Sequence, residues 1–396
     1  MFRITSLTVI FLMVMAGAAA AGDYLEPPGP PGSERSRMRT LNEIEPATPI
    51  HELPYVITNS GKYVIVGNLT GTNGHNGITI QADNVTVNLN GFMLKGVSGS
   101  LRGISVPSSQ TSITIMNGAI RDWGQGGIYA ELAENSKYTG ITTISNGWAT
   151  SKSGISVGKN SEVSDCTSAK NKSMGIWVRD SSVVRNCKTY SNTSRGIYAY
   201  NGSTVIGCSS YANTSDGISA FHGSTVTRCT AYDNFFRGIS VMDGCTITDS
   251  TAYGNTNMGF SVGAGVTITR CSASRNGSDG IYGGGGCIIS GCSAYRNSGD
   301  GIRVSYDTYV TGNSCSSNGG IGNGAGIRVT STRNRIQENH VASNEIGIDV
   351  DGADNIIIRN TASANTTADY DITSGNQTGT IRTTILGAGT WDNFSL

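Results

Sequence analysis

The amino-acid sequence predicts an all-β chain wound as a solenoid of parallel strands, and three observations predict it. Glycine fills 54 of 396 positions, roughly twice ordinary usage, while Ser, Thr and Asn are abundant and the helix formers Leu, Glu and Lys are few. A Gly-Ile pair, once Gly-Phe, recurs at Gly154, Gly175, Gly196, Gly217, Gly238, Gly259, Gly280 and Gly301, each 21 residues after the one before. Seventeen residues after these glycines stands an unbroken column, Asn171, Asn192, Asn213, Asn234, Asn255, Asn276, Asn297 and Asn318. Asparagine tolerates left-handed turn backbone, and its amide both donates and accepts, so identical turns stacked about 4.8 Å apart satisfy one another. A propeller or a sandwich gives no such column.

In chain order, Arg3, the apolar residues 7–15 and the small residues 16–21 read as a secretory signal over 1–21, cut near Ala20 or Ala21. Counting the alanines, the apolar run is about 15 residues, short of a membrane span. No cysteine precedes Cys166, which excludes lipid attachment at the cleavage site. Residues 22–49 hold six of the eight prolines and predict an extended leader without a fold of its own. The repeat then fills 50–396, with looser copies at Gly77, Gly103, Gly127, Gly326 and Gly347 and spacings of 24 to 27 residues where loops have grown.

The columns of the repeat give the strands. The residue after each glycine is Ile or Phe and two further on is usually Val or Ala, the inward positions of a period-two strand. Nine after the glycine, Val163, Val184, Val205, Val226, Ile247, Ile268, Ile289 and Val310 mark a second strand. Twelve after it, Cys166, Cys187, Cys208, Cys229, Ser250, Cys271 and Cys292 introduce a third. Stacked Cβ atoms about 4.8 Å apart exceed usual disulfide geometry, and Ser250 shares the column, so the cysteines read as buried thiols. Leucine-rich repeats are excluded because no Leu occurs between Gly154 and Ile385, and the calcium-binding nonapeptide helix because its Gly-Gly-x-Gly-x-Asp motif is missing. With 28 basic and 28 acidic residues there is no basic field for nucleic acid.

The Gly-Ile-x-Val repeats, the asparagine column, and the opening residues 57–63 and 84–91 resemble secreted right-handed parallel β-helix proteins of the pectate lyase-like superfamily, over about residues 50–396. The leader and opening also resemble a widespread group of bacterial β-helix proteins of undefined activity. The resemblance implies a single-stranded right-handed parallel β-helix, here of about 13 coils with three short strands per coil, and a polysaccharide groove along the outer face of one strand. Pectate lyase, polygalacturonase and alginate epimerase motifs are absent, so no catalytic residue is carried over.

The Gly-Ile-x-Val strand is the candidate groove, because four extra residues after Asn146 and after Asn318 lengthen the turns leading into it. Its outward positions offer Trp177, Arg179, Tyr198, Tyr200 and Phe221 as substrate-binding residues, with Met242 and Tyr282 further along; aromatic rings suit the apolar faces of sugars. Asp216, His222, Arg237 and Asp243 form the candidate catalytic set, in which the arginine neutralises a uronate and the imidazole moves a proton. Arg195, Asp180 and Asn201 stand in the same columns. The pair Asp279 and Asp300, and the trio Asp349, Asp351 and Asp354, are turn-favouring acids that alternatively suit calcium, the one cofactor considered. The four scattered histidines give no zinc or copper site. Tyr190, Tyr211, Tyr232 and Tyr253 form a second outward ladder. The reading is an exported protein, periplasmic or extracellular, that binds polysaccharide along the Gly-Ile-x-Val face. If catalytic, it processes that polymer as a lyase, hydrolase or epimerase. The alternative is a noncatalytic extracellular or cell-surface scaffold.

Overall fold

A computed structural model describes residues 46–150, 152–320, 322 and 324–396. The signal segment and residues 22–45 of the leader lie outside the described residues. Strand structure begins at Thr48–Ile50, which pairs with Gly61–Ile65, and the compact unit is Thr48–Leu396.

One coil shows how sequence sets the path. Ile155–Val157, Glu162–Ser164 and Thr167–Ala169 are three-residue strands separated by sharp bends. Strands so short have no stability alone; each is held by the copies above and below. The next coil lies on them in parallel, with Ile155 over Ile176, Val163 over Val184 and Ser168 over Thr189. Like therefore stacks on like, which is why the period shows in the sequence. The Gly-Ile strands make one 15-stranded parallel sheet, and the second and third strands together make a 30-stranded one. They share that sheet because, in the early coils, they run on as single eight-residue strands, Thr114–Arg121 and Lys137–Ile144.

The described residues form 15 coils rather than about 13. The additional ones contain Tyr55–Ile57 and Ala368–Ile372, whose strands lack the Gly-Ile pair and so leave no mark in the repeat. Elsewhere the glycine is required by close approach: a Cβ on Gly238 would lie 2.7 Å from both Asn255 Nδ2 and the carbonyl oxygen of Gly259. The core is the stack of inward Ile and Val columns, fully buried along the coil. Near the N-terminal end the bore holds Trp123, which packs over Gly71, Gly77 and Gly103 and donates its Nε1–H to the carbonyl of Leu94 at 3.1 Å.

The asparagine ladder accounts for the turn after the third strand. Asn192 Oδ1 accepts from Asn171 N at 3.0 Å and from Asn171 Nδ2 at 3.1 Å, while Asn192 Nδ2 donates to Asn213 Oδ1 and to the carbonyl of Ser168, both at 3.0 Å. The left-handed residue is the one before it: Lys170 and Ser191 have φ 54°, Ala212 and Asp233 φ 51°. Of the two reasons the sequence offered for asparagine, the amide that donates and accepts across coils is the one at work, and backbone tolerance is not. The ladder also extends beyond the 21-residue register, to Asn146 at one end and Asn344 and Asn365 at the other.

The cysteines occupy the bend before the third strand. Cys208 Sγ accepts from Cys187 N at 3.4 Å and donates toward the carbonyls of Val184 and Ile206 at 3.5 and 3.4 Å. In the same column Ser250 Oγ accepts from Cys229 N at 3.1 Å, and Asn313 Oδ1 from Cys292 N at 2.8 Å. Thiol, hydroxyl and amide serve one purpose there, satisfying a buried N–H across coils. All nine cysteines are buried free thiols.

Candidate functional site

The outward positions of the 15-stranded sheet form one continuous face. Trp177 and Tyr198 are stacked in register on neighbouring strands, and Tyr200 and Phe221 follow the ends of theirs. The Tyr200 and Phe221 rings lie parallel at 5.0 Å, Tyr198 meets both edge-on at 5.4 and 5.3 Å, and Trp177 sits 6.0 Å from Tyr200. By packing on each other the four rings become half-buried, a firm platform rather than loose side chains. Arg179 lies half-buried outside this cluster, where its charge and those of Lys152 and Arg102 oppose the burial that pushes the Glu131 carboxyl up.

A hollow of about 170 Å³ opens beside the platform, lined by Arg195, Tyr198, Asp216, Phe236, Arg237 and Ser240 among others. Asp216 sits immediately before the strand glycine, where its carboxylate is needed locally: Oδ1 accepts from the backbone N of Arg237 at 3.3 Å and Oδ2 from Ser219 Oγ at 2.9 Å. Its neighbours one coil on either side are Arg195 and Arg237, with guanidinium Nε atoms 3.6 and 3.9 Å from its oxygens. One buried carboxylate between two guanidiniums leaves the cluster with an excess positive charge. The arginines are further ordered by rings, Arg195 over Tyr198 at 4.7 Å and Arg237 over Phe236 at 4.5 Å. Arg195 Nε at the hollow and Trp177 Nε1 in the platform are buried donors without a hydrogen-bond partner.

The four residues expected to act together divide into two pairs. Asp216 and Arg237 line the hollow; His222 and Asp243 are at the other end of the strand and do not. His222 Nδ1 is 3.7 Å from Asp243 Oδ2 with both side chains more than half exposed, at 56% and 60%, and Asp243 Oδ1 caps the backbone N of Ala264 at 2.8 Å.

Further along the same face lies a second hollow of about 310 Å³, lined by Asp279, Asp300, Arg303, Arg328, Thr330 and Asp351 together with glycines of the inserted loop. It brings Asp351, from the second acidic group the sequence presents, beside Asp279 and Asp300 of the first; Asp354 does not line it. Arg328 reaches Asp300 at 3.3 Å, Asp349 at 2.7 Å and Asp351 at 3.4 Å. Burial pushes the Asp349 carboxyl up to about 6 against the pull of Arg328, with Asp351, Asp371 and Asp300 adding to the rise. Sequence reasoning missed Arg303 and Arg328. They are outward neighbours in register, but the loop after Asn318 puts 25 residues between them and hides the column. Three of the acids converge on a guanidinium, and among the described residues no group of three or more His, Cys, Asp or Glu side chains is arranged to hold a metal.

On another face Tyr190, Tyr211, Tyr232 and Tyr253 stack with rings 4.7–5.1 Å apart and interplanar angles of 4–10°. Ring stacking of this kind adds to the stability of the coil. Among the described residues no helix is long and apolar enough to cross a membrane.

The family model described as right handed beta helix region matches residues 54–205, 102–257 and 260–386. No curated protein gives a significant match. Among solved structures, the A-module of a mannuronan C-5 epimerase from Azotobacter vinelandii is similar at TM-score 0.51 and 13% identity, over 83% of this chain and 91% of the module. A double mutant of a periplasmic alginate epimerase aligns at TM-score 0.49 and 13% identity, over 74% of this chain and 76% of its own. Tailspike protein 3 of bacteriophage CBA120 aligns at TM-score 0.44 and 11% identity, over 78% of this chain and 55% of its own.

Proposed function

The chain belongs to the right-handed β-helix family, and from the side chains on its Gly-Ile face we propose that it binds an acidic polysaccharide laid across the strands. The fold itself hosts many functions, so the residues carry the reading. The observation that carries it is the Arg195–Asp216–Arg237 cluster beside the four-ring platform, with two buried donors still unpartnered. Ring faces take the apolar faces of sugars, and the excess guanidinium takes a carboxylate or sulfate group. A polymer running along the coil axis meets equivalent positions on successive coils about 4.8 Å apart, so contact is repeated rather than confined to one pocket. His222 and Asp243, largely solvated, form a margin of this surface rather than its centre. The signal-like residues 1–21 support binding outside the cytoplasm.

The test is a glycan array probed with the purified protein, followed by titration of the retained polymer. Tyr198→Ala is expected to weaken binding by roughly 0.5–1.5 kcal/mol, the worth of an aromatic contact. Arg237→Ala is expected to weaken it about tenfold or more and to flatten its salt dependence. Equal affinity of Arg237→Ala and wild type at low salt, or retention of neutral polymers alone, contradicts the proposal.

A further inference from the structure

The second hollow contains groups that binding alone does not require. Asp279 and Asp300 occupy the position immediately before the strand glycine on neighbouring coils, the same column as Asp216. Asp279 is 5% exposed, accepts a single hydrogen bond, from the backbone N of Asp300 to Oδ1 at 2.9 Å, and contacts no cation; its other oxygen has no partner and the residue lines the hollow. Asp300 is 4% exposed but differently furnished: Oδ1 accepts from the backbone N of Ala325 at 2.7 Å, and Arg328 Nε lies 3.3 Å from both oxygens. Two buried carboxyls one coil apart therefore sit in unlike surroundings.

Their surroundings sort the proton between them. Burial, then the charge of Asp300, pushes the Asp279 carboxyl up, against the Asp300 N–H and the charges of Arg303 and Arg328, neither of which touches it. Burial also raises Asp300, but there the Ala325 N–H and the Arg328 guanidinium oppose it directly. When two close carboxyls share one proton it rests on the member less stabilised as an anion, here Asp279. A carboxylic acid with an open oxygen next to a guanidinium-held carboxylate is the pairing that glycoside hydrolysis uses. Equivalent atoms on adjacent coils lie about 4.8 Å apart, near the roughly 5–5.5 Å carboxyl separation of retaining enzymes and short of the 6.5–9.5 Å of inverting ones.

We propose that Asp279 and Asp300 are a glycoside-hydrolysing pair, Asp279 the acid and Asp300 the nucleophile, cleaving the polymer that the aromatic platform holds; the proposal rests on that binding reading. In the first step Asp279 gives its proton to the glycosidic oxygen, the bond from that oxygen to the anomeric carbon breaks, and Asp300 bonds to that carbon. The leaving sugar departs as an alcohol. In the second step Asp279, now a carboxylate, takes a proton from water, whose oxygen attacks the anomeric carbon and releases Asp300. The net change is one water consumed, with no redox partner. The sugar cleaved is uncharged, because with the proton on Asp279 the carboxylates of Asp300, Asp351 and, behind the hollow, Asp349 still outnumber Arg303 and Arg328. Tyr282, half-buried and outward on the strand paired with that of Arg303, supplies a ring for it. Four coils, roughly 19 Å, separate Asp216 from Asp300, so the polymer carries acidic units at the first hollow and a neutral one at the second.

The test uses the full chain and the polymer it retains on the array, following reducing ends and, by proton NMR, the anomeric configuration first released. Wild type is expected to release reducing ends with retained configuration. Asp279→Asn, which keeps the Oδ1 acceptor, is expected to lose at least about 100-fold in turnover with affinity unchanged. Asp300→Ala is expected to be inactive until azide is added, which takes the nucleophile's place and yields a glycosyl azide. A retained polymer that wild type leaves uncut overturns this proposal while the binding reading stands; no retained polymer overturns both. Release with inversion, or full activity in Asp279→Asn, overturns the assignment of these two residues.

Discussion

At the scale of single residues, the repeat reports a side chain's chemistry more faithfully than its backbone. The asparagine column was legible because each amide serves the coils on both sides, and any other side chain leaves buried donors unpaired. The left-handed position one residue before it was not legible, because Lys170, Ser191 and Ala212 hold that conformation and share no chemistry. The acids show the same limit: Asp300, Arg328 and Asp349 meet in space, but the loop after Asn318 takes Arg328 and Asp349 out of the common spacing with Asp300. Asp349 offers a direct test of that cluster. Its folded pKa, about 6, lies above the ordinary carboxylate value. Its contribution to stability is therefore fully present below pH ~4 and lost as pH rises through 6. Asp349→Asn removes that loss, so it is expected to stabilise the fold at pH 7 by on the order of 2 kcal/mol. The gain should shrink through pH 6 and vanish near pH 4. Denaturant melts of both proteins across this range check it, and a gain independent of pH contradicts it.

At the scale of elements, strands of three residues are set by their neighbours rather than by propensity, so stability resides in the turns that stack. Asn234 lies mid-ladder: its Oδ1 accepts two bonds from Asn213, and its Nδ2 donates to Ser210 O and Asn255 Oδ1. Asn234→Ala leaves the buried backbone N–H of Asn213 and one hydrogen of its amide without an acceptor and is expected to cost roughly 2–4 kcal/mol. Cys208→Ser retains a donor and acceptor at its bend and is expected to change stability by less than about 1 kcal/mol, as Ser250 in the same column already suggests. Chemical denaturation of the two variants side by side checks the ranking. A cysteine variant as damaging as the asparagine one would show that the thiols are there for packing, not for the cross-coil hydrogen bond. Elements without the glycine signature escaped the sequence reading, which is why the strands Tyr55–Ile57 and Ala368–Ile372 raise the coil count.

At the scale of the whole coil, a chain with equal numbers of acids and bases still separates its charges along one face. Arginine exceeds carboxylate around Asp216, and carboxylate exceeds arginine around Asp300, with the aromatic platform next to the first. The face was legible from the outward columns of the 21-residue register; this division of charge was not, since it depends on which turns converge in space. The proposed ligand, an acidic polysaccharide, lies along this face. A crystal structure of the full chain with an oligosaccharide of the retained polymer tests it most directly. Sugar rings are expected over Trp177, Tyr198 and Phe221, with an acidic group at Arg195 and Arg237. Sugar bound instead along Tyr190, Tyr211 and Tyr232, with the Gly-Ile face bare, would contradict it.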